Sequence, residues 1–88
     1  MRATYKINDA ANEDIRKLTE ADAKLVQAKA SIDQLNKIAS GMQSETGIAI
    51  CDQCSRLTSS ITTLQNNLTV SKQWIRMAVE WYREQDKI

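Results

Sequence analysis

Apolar side chains recur along this chain at alternating spacings of three and four, from Leu18 to Tyr82, with one break between Gly41 and Gly47. In the first half Leu18, Leu25, Ile32 and Ala39 repeat every seven residues, interleaved with Ala21, Ala28, Leu35 and Met42. In the second half Cys54, Ile61, Leu68, Ile75 and Tyr82 do the same, interleaved with Leu57, Leu64, Ser71 and Ala78. Spacing of this kind draws a single stripe along an α-helix. Two stripes joined by a short glycine-containing turn predict an all-α fold, an antiparallel two-helix hairpin.

The boundaries follow from local chemistry. Asn8 or Asp9 can cap a first helix, and Glu13 and Asp14 suit its positive end, so it is expected over about residues 9–40. A turn is expected over about 41–46, where Gly41 can adopt a left-handed C-cap and Ser44 or Thr46 can cap the next helix. The second helix is then expected over about 47–85, the whole chain forming one hairpin domain. The absence of proline permits helices of such length. Residues 57–71 carry no charge and are rich in Ser, Thr and Asn, which are poor helix formers. The three-four rhythm of Leu57, Ile61, Leu64 and Leu68 nevertheless predicts helix there, held by packing rather than by propensity.

Eighty-eight residues arranged as two helices make a thin core. Chains of this size commonly rely on disulfides, metals or association with another chain. Two Cys and no His leave too few ligands for a zinc site, so no metal or cofactor is expected. Association remains. Leu25, Ile32, Leu35, Leu57, Ile61, Leu64, Leu68 and Ile75 are the expected packing residues, within the hairpin and against a partner. Ile15, Ile38, Ile50, Trp74, Val79 and Trp81 lie off the stripe, and a lone hairpin cannot bury them all. A second hairpin would complete a four-helix bundle, from a second copy or a different chain. Trp74 and Trp81, seven apart, share one flank and suit either an interface hot spot or packing on the first helix.

Composition removes several function classes. Twelve basic and eleven acidic residues are interspersed, which gives no basic patch for nucleic acid. No apolar run is long enough to cross a bilayer, and no apolar block follows the basic residues of the first nine positions, as a secretory signal peptide would require. Without His there is no Ser/His/Asp set, and with two Gly no phosphate-cradling loop, so no enzyme activity is expected. Cys51 and Cys54 form a C-x-x-C pair without the βαβ setting of a redox motif. They are read first as packing residues, with a cytoplasmic redox or metal-responsive adaptor as an alternative function.

The layout resembles the W-x-G superfamily of small helical-hairpin proteins exported by bacterial type VII secretion systems. Around the turn the chain reads Glu45-Thr46-Gly47-Ile48-Ala49, so that Gly47 stands where that family has its glycine and Glu45 where it has tryptophan. Near the C-terminus, Tyr82-Arg83-Glu84-Gln85-Asp86 matches the family's Y-x-x-x-D export pattern. The resemblance implies a non-enzymatic protein that pairs with itself or with the helical domain of a larger effector. It further implies Tyr82 and Asp86 as an export signal read by secretion machinery. The implied location is the bacterial cytoplasm before export, then the medium or cell surface. A needle or filament subunit of another secretion apparatus, also a small helical hairpin, is a further alternative.

Overall fold

The computed structural model describes the backbone of residues 2–86 and the side chains of residues 8–85. It is an all-α hairpin: helix α1 spans Arg2–Ser40 and helix α2 spans Glu45–Asp86. The two run antiparallel in a body measuring 68 × 15 × 11 Å between Cα atoms. Its radius of gyration of 19.8 Å far exceeds the roughly 12 Å of a compact domain of this length.

Helix α1 begins earlier than its capping signals suggest. Residues 2–7 contain no Gly or Pro to end it, so Asn8, Asp9, Glu13 and Asp14 lie inside the helix rather than at its start. Glu13 instead pairs on the surface with Arg16, whose hydrogen bond holds the Glu13 carboxyl below its ordinary range. Arg56–Asp52 and Arg83–Glu80 are similar exposed pairs, at 3.1 and 3.5 Å. Pairs so open to solvent add little to stability.

The turn closes without a left-handed residue, contrary to the C-cap expected at Gly41: neither glycine has positive φ. Instead Gly41 N–H donates to the Ile38 carbonyl at 3.1 Å and Met42 N–H to the Ala39 carbonyl at 3.0 Å. These three-residue bonds tighten the last turn and satisfy two otherwise orphaned carbonyls. Ser44 caps α2, its hydroxyl accepting from Gly47 N–H at 3.3 Å. Gly47 is buried where the first turn of α2 crosses the end of α1. A Cβ there would lie 2.8 Å from both the Ala39 carbonyl oxygen and Met42 Cβ. At Gly41 the nearest atom would be 3.4 Å away.

Residues 57–71 are helical throughout. Thr62, Thr63 and Thr69 each return their hydroxyl to the carbonyl four residues earlier, at 3.1 to 3.2 Å. This satisfies the polar side chain without leaving the helix.

The inner faces follow a strict heptad. In α1 one inner column is Ala11, Leu18, Leu25, Ile32 and Ala39, and the other is Asn8, Ile15, Asp22, Lys29 and Asn36. In α2 the corresponding columns are Gly47, Cys54, Ile61, Leu68 and Ile75, and Cys51, Thr58, Gln65, Lys72 and Val79. Each helix thus contributes one apolar and one mixed, mostly polar column. Gln65 Nε2 donates to Asp22 Oδ1 at 3.2 Å across the interface. Lys29 and Lys72 are half-buried at these inner positions. Among the described residues, Ala11, Ala39 and Cys54 are the buried apolar side chains.

Gly47→Ala is expected to cost about 1–3 kcal/mol by forcing the turn apart, whereas Gly41→Ala should be nearly neutral. Urea unfolding followed by circular dichroism compares the two; equal stability would show that the close approach at Gly47 does not hold in solution.

Candidate interaction face

The interleaved column of each apolar stripe does not enter the hairpin interior. Ala21, Ala28, Leu35 and Met42 on α1, and Leu57, Leu64, Ser71 and Ala78 on α2, are all exposed. Leu57 and Leu64 retain 49% and 48% of their surface, so they are not the internal seam residues their spacing suggested. Ile15 and Val79, off the stripe by spacing, are half-buried in the inner columns instead. Of the expected packing residues, Leu25, Ile32, Ile61, Leu68 and Ile75 line the interior, and Leu35, Leu57 and Leu64 do not.

The displaced columns share one side of the molecule. On each helix they sit three residues after the apolar inner column. Antiparallel helices are related by a two-fold axis perpendicular to their common broad face, so equivalent columns emerge on the same face. Ile38 and Trp74 lie four residues before members of these columns and Trp81 three residues after Ala78, so all three extend the same side. Trp74 is 70% exposed and Trp81 58%, which sets aside packing of either ring on α1. Seven of the exposed large apolar residues gather on or beside this face: Leu35, Ile38, Met42, Leu57, Leu64, Trp74 and Trp81.

The opposite broad face has a different composition: Asn12, Thr19, Asp33, Ser40, Ser55, Thr62, Thr69, Arg76 and Arg83, with Val26 and Ile48 as the apolar exceptions. Two open clefts lie along it. One is lined by Asp33, Asn36, Cys54, Ser55 and Thr58, the other by Asn8, Asn12, Arg76, Val79, Glu80 and Arg83. The hairpin therefore has one apolar and one polar side.

Total surface gives a scale. The chain exposes 6950 Å², against about 5,200 Å² for a folded monomer of this mass. The excess is roughly twice the ~800 Å² that each partner loses in a standard-size association.

Cys51 and Cys54 are both free and both face α1. Cys54 is 3% exposed against the α1 seam. Cys51 is half-buried, its Sγ 3.8 Å from the Asn36 carbonyl oxygen and 3.6 Å from Ser40 Oγ. Both therefore occupy packing positions. Among the described residues no group of three or more His, Cys, Asp or Glu side chains is arranged to hold a metal ion. No described helix is long and apolar enough to cross a membrane.

Tyr82 occupies the penultimate turn of α2 and is partly exposed, its ring edge-on to Trp81 with centroids 5.0 Å apart. The Asp86 backbone closes α2, four residues on and so on the same helical face, while its side chain lies outside the described residues. Neither family models, curated proteins nor solved structures yield a match to this chain.

Burial separates the two columns experimentally. Ile61→Asp should unfold the hairpin, since it places a charge in the interior without a counter-ion. The pair Leu57→Asp and Leu64→Asp should keep the helical circular dichroism signal at low temperature. If the double variant unfolds as completely as Ile61→Asp, the assignment of inner and outer columns is wrong.

Proposed function

We propose that this chain is a non-enzymatic pairing module whose apolar broad face receives a second helical hairpin. The partner is a copy of itself or the helical domain of a larger effector, and the product is a four-helix bundle. The observation that carries the reading is the set of exposed apolar side chains on one broad face, among them Leu35, Met42, Leu57, Leu64 and the two tryptophans. A face of this kind, left open by a thin hairpin, loses water-exposed apolar area when covered.

We further propose that the module is exported by a type VII secretion system. The resemblance around Gly47 supports this, as does the placing of Tyr82 and Asp86 four apart at the end of α2. Their position beside Trp81 puts the candidate signal next to the pairing face. A partner docked there would present its own helix end beside Tyr82, forming a composite surface that one chain lacks.

Export and pairing are separable. In a bacterium carrying such a system, Tyr82→Ala should hold the protein in the cell while leaving its assembly by size-exclusion chromatography unchanged. Equal export of wild type and Tyr82→Ala would remove Tyr82 from the signal. Absence of wild-type export from every such host tried would remove the secretion reading.

A further inference from the structure

Cys51 and Cys54 stand three apart on the inner face of α2, both free, and neither the apolar broad face nor the candidate export signal uses them. Zinc needs about four ligands, and among the described residues no set of three or more His, Cys, Asp or Glu side chains is arranged to supply them. Cu(I) makes a smaller demand. It is a soft ion that favours thiolates, and two of them in line can complete its coordination. We propose that Cys51 and Cys54 form a two-thiolate site for one Cu(I) ion per chain.

Helical spacing separates the two reactions open to such a pair. Side chains three apart on a helix hold their Cβ atoms about 5–6 Å apart. A disulfide brings them to about 3.8 Å, so closing one would distort this turn. Helix α2 runs unbroken through both residues. A linear S–Cu–S unit spans roughly 4.6 Å, twice a metal–thiolate bond of ~2.3 Å. Sulfurs carried on Cβ atoms at the helical spacing reach that separation by side-chain rotation alone.

Asn36 connects both thiols with solvent. Its carbonyl oxygen lies 3.8 Å from Cys51 Sγ, and the residue lines the open cleft on the polar face beside Cys54, Asp33, Ser55 and Thr58. The cleft gives an ion a way to Cys54, which is otherwise buried, without parting the helices. It opens on the side opposite the pairing face, so the site stands apart from pairing and export.

Binding needs no oxidant or reductant. Each thiol releases its proton to solvent, two Cu–S bonds form, and copper stays in the monovalent state. The Ser40 hydroxyl, which bonds the Asn36 carbonyl at 2.7 Å, lies 3.6 Å from Cys51 Sγ. Once Cys51 is a thiolate, that hydroxyl can turn to donate to it, a second partner of the kind that strengthens metal ligands.

The test is anaerobic titration of the reduced full chain with Cu(I), in competition with the coloured Cu(I) chelator bicinchoninate. Wild type should withdraw one equivalent per chain, with one copper on one chain by native mass spectrometry and two sulfur neighbours by X-ray absorption. Cys51→Ala spares the buried Cys54 and should abolish this competition while keeping the helical circular dichroism signal. Cys54→Ala should abolish it too. Ser40→Ala should weaken binding roughly tenfold. Failure of wild type to draw copper from bicinchoninate would overturn the proposal, as would unchanged binding by Cys51→Ala. Three or four sulfur neighbours with copper shared between chains would overturn the single-chain site.

Discussion

Two helices packed side by side can each turn only two heptad columns toward the other, and each helix here carries a broader set. That geometric limit organises the molecule. The turn fixes which columns go inside: Gly47 seats directly against Ala39 and Met42, so the heptad columns containing Gly47 and Ala39 must face each other. Everything three residues beyond them on both helices then emerges on one broad face. The interior accepts Asp22, Lys29, Gln65 and Lys72, while Leu35, Leu57 and Leu64 remain in water.

This arrangement keeps apolar burial within the hairpin small and leaves large apolar side chains on its surface. Among the described residues the interior seam holds three buried apolar side chains, all small. A fully buried Leu or Ile would contribute about 1.5–3 kcal/mol, but none reaches that burial within one hairpin. The Gln65–Asp22 bond sets register more than it adds stability, since polar pairs gain little over the water they displace. The long uncharged run of α2 fits the same scheme: its Thr hydroxyls bond back to its own helix, leaving a surface with no fixed charge to desolvate.

Much of this was legible in the sequence. The break at Gly41–Gly47, a cap at Ser44 or Thr46 and the helical state of residues 57–71 all followed from spacing and side-chain chemistry, and Ser44 is the residue that caps. Which side of each stripe faces inward did not. Periodicity identifies an apolar stripe but not its rotation, and that rotation is set by the Gly47–Ala39 contact, a tertiary feature. Lys29 and Lys72 read as surface residues because their charge marks solvent, yet both are half-buried at inner heptad positions. Gly41 suggested a left-handed cap, but a shorter closure by three-residue hydrogen bonds made it unnecessary. The start of α1 at Arg2 was missed because Asn8 and Asp9 resemble a cap wherever they stand.

The central claim is that covering the second apolar column stabilises the hairpin. The most direct measurement is the thermal midpoint of wild-type protein by circular dichroism over roughly a hundredfold range of concentration. Association of folded chains requires the midpoint to rise with concentration, because only the folded state binds. A midpoint rising by several degrees is the predicted result. A midpoint constant across the range would contradict the account and show a hairpin that is stable with its apolar face open to water.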